Sequence, residues 1–134
     1  MPGWEARLAT VLRQAARAPY VLGEHDCFRV ACAAVEALTG VDHWEAWRGT
    51  YATRAQALRR IVEYHPDGFT AAFSRLFGGA PEPLAYAQRG DIAEFADGRE
   101  QHLGIVCGAT VAVLGETGLV HIPRSACAHA WSIG

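Results

Sequence analysis

Cys27 is the residue with the clearest potential for covalent chemistry, because it directly follows Asp26 in the stretch PYVLGEHDCFRVACAAVEALTG. An Asp before an apolar periodic segment can cap a helix, so Cys27 is predicted to open one. Unpaired N–H groups and the helix dipole favour negative charge there, which lowers the pKa of a thiol. Three roles are open for Cys27: nucleophile, metal ligand or buried structural thiol.

A nucleophilic cysteine needs a base, usually a His that the fold brings close to it. His102 stands at the head of the segment HLGIVCG, so its ring can project from a sheet edge toward a helix N-terminus. His25 is only two residues from Cys27, and His43 and His65 lie in predicted loops, where solvated histidines are common. His102 is therefore the candidate base, with a surface histidine at a strand end as the alternative.

The four cysteines do not have the spacing of a zinc site. There is no Cys-x-x-Cys pair, and His25 with Cys27 has no second pair to complete a tetrahedron. A chain with this much apolar material also does not need disulfides to fold. We therefore expect reduced thiols, no metal and no cofactor, with Cys32 and Cys107 as small core residues.

The composition is that of an ordinary globular protein of 134 residues, with 51% hydrophobic residues and a formal net charge of −2. This length allows one compact core, so a single domain over residues 1–134 is predicted. All 12 basic residues are Arg and are scattered among 14 acidic ones, which predicts no nucleic-acid surface. No run is long enough to cross a bilayer, and the charged N-terminus does not resemble a secretory signal, so synthesis and folding in the cytosol are expected.

The hydrophobic pattern changes from helical to strand-like along the chain. Helices are predicted over residues 3–17, from Asp26 to Gly40, over 54–64 behind a Thr53/Gln56 capping box, and over DGFTAAFSRLFGG. From residue 91 onward five short segments predict an antiparallel meander. Helices followed by strands indicate an α+β domain with the N-terminal helices packed on one face of a C-terminal sheet of about five strands.

The segment DHWEAWRGTY is richer in aromatic residues than a loop requires. Its two Trp residues suit a partner contact, the wall of a substrate cleft, or core packing. The sequence leaves these three alternatives open.

Two blocks of the chain resemble NlpC-type cell-wall peptidases. APYVLGEHDC is similar to the family segment in which a Tyr, a Gly-rich turn and Asp-Cys open the nucleophile helix. RGDIAEF followed by HLGIVCG is similar to the family's Gly-Asp strand and His-x-Gly-Ile strand. The resemblance covers residues 19–108 and implies a papain-like fold that hydrolyses amide bonds in peptidoglycan stem peptides.

The resemblance also implies roles for individual residues. Cys27 would be the nucleophile and His102 the general base. Tyr20 would help to polarise the scissile carbonyl, and Asp26 is the neighbouring candidate for substrate or oxyanion contact. The residue that orients the base is expected on the next strand, but that strand is the apolar TVAVLG, so His121, one strand later, is the nearest substitute.

The chain departs from the family after the cysteine, where Phe28 and Arg29 replace the usual Ser and Gly. This change is expected to alter the shape of the substrate cleft.

The combination of DCFRVACAAVEALTG, WRGTY and a terminal AWSI looks most like small proteins from tail gene clusters of long-tailed phages, prophages and gene transfer agents. This resemblance implies synthesis in the bacterial host cytoplasm, a place in the virion tail, and other tail-tip or hub proteins as partners. It favours a thiol protease that cleaves stem-peptide amides during genome delivery. The alternatives are a non-catalytic tail-tip component that retains the fold, and a free bacterial enzyme acting on amides in the cytosol.

Overall fold

A computed structural model describes residues 2–134, which form four α-helices followed by a five-stranded antiparallel sheet. The α+β class and the order of helices before strands are confirmed. Within residues 2–134, no helix combines the length and apolarity needed to cross a membrane. The elements are α1 (Trp4–Arg17), α2 (Cys27–Thr39), α3 (Arg54–Tyr64), α4 (Phe69–Phe77), β1 (Ile92–Asp97), β2 (Glu100–Cys107), β3 (Thr110–Gly115), β4 (Gly118–Pro123) and β5 (Cys127–Trp131).

The ends of α2 and α3 follow the capping signals in the sequence. The Oδ1 atom of Asp26 accepts the N–H of Arg29 at 2.8 Å and caps α2, and Gly40 ends this helix with a left-handed φ of 80°. Thr53 and Gln56 form the predicted capping box of α3. These boundaries are predictable because a cap depends only on residues within one turn of the helix end.

The sheet has the strand order β4-β3-β2-β1-β5, so the predicted meander is correct for β1 to β4 and wrong for β5. Only residues 124–126 connect β4 to β5, although these strands lie at opposite edges of the sheet. A flat sheet would separate the two strands by about 19 Å, whereas the four Cα steps from Pro123 to Cys127 span at most about 14 Å. The sheet must therefore curl.

The side chain of Arg124 stabilises the turn between β4 and β5, which the curl of the sheet brings together. Its guanidinium donates hydrogen bonds to the carbonyl oxygens of Gly108 at 2.7 Å and Ala87 at 3.0 Å, and also to that of Leu84. A planar group with several donors can satisfy carbonyls from separate segments at once. These long-range contacts explain why sequence spacing alone does not predict the position of β5.

Both faces of the sheet are covered. One core cluster joins the helices to Leu103 and Ile105 of β2, whereas Val106 belongs to a second cluster, against which the segment 84–87 packs. Because side chains alternate along a strand, His102 lies on the same face of β2 as Val106. The helices thus pack on one face, as predicted, and His102 belongs to the other.

Helix α3 packs on the main core through the partly buried Ala57, Ile61 and Tyr64, and two of its arginines add contacts nearer the surface. The structure describes every residue of α3, and none is fully buried. The guanidinium of Arg60 lies 4.0 Å from the ring centroid of Trp47, and Arg54 forms an ion pair with Glu100 of β2. These contacts hold α3 beside the N-terminal ends of α2 and β2.

Replacement of Gly23 tests the loop that precedes α2. Gly23 has a φ of 84°, and a Cβ there would lie within 3.0 Å of the Tyr51 carbonyl oxygen, whereas Gly49 has a φ of 76° and open space around it. We expect Gly23→Ala to lower the free energy of unfolding by about 3 kcal/mol, and the control Gly49→Ala to lower it by about 1 kcal/mol. Urea unfolding measures both; equal losses would contradict the close approach of Gly23 to Tyr51.

Candidate active site

A pocket with a volume of about 330 Å³ lies beside the N-terminal end of α2. We call it the Cys27 pocket. Cys27, His102 and Tyr20 all contribute to its wall. Three residues that the sequence analysis linked to catalysis therefore border one cavity, although they come from a helix, a strand and a loop.

Cys27 is the first residue of α2, as predicted, but the pKa of its thiol is not lowered. Burial raises the pKa of Cys27 to about 11, and the neighbouring Asp26 carboxylate adds to this increase. The backbone N–H groups of Leu103 and Phe28 oppose it. Burial therefore opposes the expected activation of the thiol, because the loss of solvation of the thiolate outweighs the effect of the helix N-terminus.

The imidazole of His102 lies against β1 and not against the thiol. His102 is opposite Phe95 in the β1–β2 register, and the two rings stack with their centroids 5.2 Å apart. Its Nε2 atom is 3.6 Å from Oε2 of Glu100. Within the part of the chain that the structure describes, no hydrogen bond joins His102 to Cys27. Direct proton transfer from the thiol to the imidazole requires these two side chains to come into hydrogen-bond contact.

His121 is not placed to orient His102, so this prediction is wrong. The Nδ1 atom of His121 is 2.9 Å from Oγ1 of Thr110, and Thr110 pairs with Cys107. In the sheet register His121 is opposite Ala112, and Ala112 is opposite Ile105 of β2, so His121 lies two strands away from β2 and about 10 Å along the strand from His102. The sheet register thus separates the two imidazoles.

The phenol of Tyr20 lies close to Cys27 at the mouth of the pocket. Burial raises the pKa of Tyr20 to about 12, and the proximity of Cys27 and Asp26 contributes. The hydroxyl is therefore protonated at neutral pH and can donate a hydrogen bond to a carbonyl oxygen in the pocket. This chemistry is compatible with the role that the resemblance implies.

Asp26 does not fit the predicted contact with a substrate or oxyanion. Its Oδ1 atom accepts the N–H of Arg29 at 2.8 Å, and its Oδ2 atom accepts the N–H of Gly23 at 2.9 Å and the hydroxyl of Tyr51 at 2.5 Å. The residue is only 2% exposed. An oxyanion also requires donors, which a carboxylate lacks. Asp26 is a structural residue that positions Cys27.

Glu100 and Tyr51 also line the pocket, and neither is among the predicted site residues. Glu100 precedes His102 by two residues in a strand, a spacing that places both on one face, so this pairing is detectable in the sequence. Tyr51 is 25 residues from Asp26, and no local pattern predicts their hydrogen bond. Tyr51 and Trp47 are both buried and both line the Cys27 pocket, so the segment DHWEAWRGTY provides core packing and cleft wall together.

The cysteines are all free thiols, and Cys32 is buried in the main core as predicted. Among residues 2–134, no cluster of three or more His, Cys, Asp and Glu side chains is arranged to hold a metal ion.

Alkylation of the cysteines in the folded protein tests the raised pKa of Cys27. A pKa of about 11 leaves only about one thiol in 10⁴ ionised at pH 7. We expect iodoacetamide to modify Cys127 faster than Cys27, and the rate at Cys27 to rise about tenfold per pH unit between pH 7 and 9. Mass spectrometry of the modified peptides measures each site, and fastest modification of Cys27 at pH 7 would contradict the effect of burial.

Comparison with known proteins identifies a family for nearly the whole chain. No curated protein and no solved structure matches it. The family described as "Domain of unknown function (DUF6950)" matches residues 1–133. The chain therefore belongs to the DUF6950 family.

Proposed function

We propose that this protein is a papain-like cysteine peptidase of a phage tail tip, and that it hydrolyses amide bonds in peptidoglycan stem peptides. One observation carries the proposal: Cys27, His102 and Tyr20 border the same pocket. A thiol, an imidazole and a phenol supply the nucleophile, the base and the hydrogen-bond donor that acyl transfer requires. The substrate and the tail-tip location rest on the resemblance to NlpC-type peptidases and to proteins of tail gene clusters.

The reaction begins when the N-terminal end of β2 shifts, so that the imidazole of His102 leaves Phe95, reaches Cys27 and accepts the thiol proton. The thiolate attacks the amide carbonyl, and the hydroxyl of Tyr20 donates a hydrogen bond to the developing oxyanion. The C–N bond then breaks as His102 protonates the leaving amine, which leaves a thioester on Cys27. Water hydrolyses this thioester, releases the acid and restores the thiol.

The raised pKa makes the arrival of His102 a required step. At neutral pH the free thiol is protonated, so Cys27 alone is a poor nucleophile. An imidazolium next to the sulfur stabilises the thiolate electrostatically and lowers the pKa of the thiol. The proposed enzyme is therefore inactive until His102 and Cys27 are in contact.

A non-catalytic tail-tip component is the second candidate, and the same site contains an observation that favours it. Cys27 is partly buried, desolvation raises the pKa of its thiol to about 11, and its sulfur has no hydrogen bond to His102 within the described residues. A thiol in this state is typical of a structural residue. In this alternative the chain keeps the peptidase-like architecture and contributes only surface contacts to the tail.

Cys27→Ala separates the two candidates, with Cys127→Ala as the matched control on the other core cluster. For the peptidase, we expect Cys27→Ala to fold and enter the particle but to release peptides from purified peptidoglycan at least about 10³-fold more slowly. Cys127→Ala should keep the parent rate, because its side chain does not line the Cys27 pocket. The assay counts new amino groups released by particles that carry each variant.

Equal digestion by Cys27→Ala and the parent would end the catalytic proposal. Absence of digestion by both, with normal infectivity of the Cys27→Ala particles, would favour the non-catalytic component. His102→Gln should reproduce the loss in Cys27→Ala, and full activity in that variant would exclude His102 as the base.

A further inference from the structure

We propose that the Cys27 pocket binds a ligand that joins an aliphatic chain to a carboxylate, with the chain on the aromatic wall and the carboxylate on Arg99. If this ligand is part of the peptidase substrate, the assignment rests on the proposed function. Binding of the ligand itself does not require a reactive thiol.

The inner wall of the pocket is apolar and preformed. Phe28, Trp47 and Phe73 line it, and all three are buried. The ring centroids of Phe28 and Trp47 are 4.9 Å apart in an edge arrangement, and those of Phe28 and Phe73 are 5.4 Å apart. Rings that pack against one another cannot collapse into the cavity, so the wall persists without a ligand. Such a surface favours hydrocarbon over a polar side chain.

The apolar surface continues from this wall to the mouth of the pocket. Tyr20 and Leu58 line the pocket, and they are 41% and 57% exposed. Large apolar side chains exposed beside a cavity mark a binding surface. A lining that includes both the buried Trp47 and the exposed Leu58 suits an extended chain better than a compact group such as a methyl.

Among the described residues that line the mouth of the pocket, one arginine has no partner. Arg54 and Glu100 form an ion pair with each other, so their charges compensate. Arg99, at the turn between β1 and β2, lines the pocket and is exposed, and it has no ion pair or hydrogen bond among residues 2–134.

The charges around the pocket favour a ligand whose polar group is negatively charged. The carboxylate of Asp26 also lines the pocket, but its oxygens already accept three hydrogen bonds and it faces the positive end of α2. A guanidinium binds a carboxylate through two parallel hydrogen bonds, whereas it repels an amine. The free charge of Arg99 therefore favours an anionic head group.

Octanoate is an achiral probe that combines the two features. We would titrate full-length Cys27→Ala protein with octanoate, octanamide and acetate and follow the backbone and indole signals by NMR. We expect octanoate to shift the signals of Trp47, Leu58 and Arg99 and to bind about tenfold tighter than octanamide, because only octanoate makes the charge-assisted contact. Acetate should not bind, because it lacks the chain.

Arg99→Ala isolates the charged contact. We expect it to reduce octanoate affinity to the octanamide level and to leave octanamide unchanged. Arg59→Ala is the matched control, because Arg59 is an exposed arginine of α3 that does not line the pocket, and it should change neither affinity.

Equal affinity for octanoate and octanamide, or octanoate binding that survives Arg99→Ala, would overturn the carboxylate assignment. Octanoate binding without shifts at Trp47 and Leu58 would overturn the pocket as the site. These results are distinguishable from failure of the proposed function, which is measured with the parent protein by release of peptides from peptidoglycan. Specific octanoate binding by a parent protein without peptidase activity would support the pocket assignment and exclude the enzyme.

Discussion

The carboxylate of Asp26 is the contact on which the geometry of the pocket depends. Its hydrogen bonds to Gly23, Arg29 and Tyr51 join the loop before α2, the first turn of α2, and the aromatic segment that precedes α3. A buried carboxylate is tolerated only when donors surround it, and here three donors come from three parts of the chain. Each of these parts contributes to the wall of the Cys27 pocket, so the position of Cys27 relative to the wall is set by one side chain.

The surroundings of Asp26 also make the thiolate form of Cys27 unfavourable. The same burial that makes the hydrogen bonds of Asp26 strong also removes water from the adjacent thiol, and the negative charge of Asp26 opposes a second negative charge beside it. The free N–H groups at the start of α2 favour the thiolate, but their contribution is smaller than the cost of desolvation. A site built in this way is stable with a neutral thiol. In the proposed enzyme, reactivity therefore depends on a second group, the imidazole of His102, whose resting position is against Phe95.

The sequence predicts those features that depend on neighbouring residues. The limits of α2 and α3 follow from Asp26, Gly40 and the Thr53/Gln56 box. The position of β5 is not predictable in this way, because it depends on the contacts of Arg124 with residues 16 to 40 positions away. The prediction for His121 fails for a related reason: the apolar sequence of β3 does not determine the strand register, and the register determines which imidazoles lie close together. The pKa of Cys27 likewise depends on burial, which only the tertiary structure determines.

Phe28 belongs both to the hydrophobic core and to the wall of the Cys27 pocket. In the proposed relationship to NlpC-type peptidases, this position usually carries Ser. The ring of Phe28 packs against Trp47 and Phe73 and also lines the pocket. A Ser at this position would leave these two rings without their common neighbour and would put a hydroxyl into the wall. The aromatic side chain therefore serves the core and makes the pocket apolar at the same time. A change at Phe28 would alter core packing and ligand preference together, so the polarity of this pocket is coupled to the stability of the core around α2. Arg99 is exposed, so the charge at the mouth of the pocket can change independently of that stability.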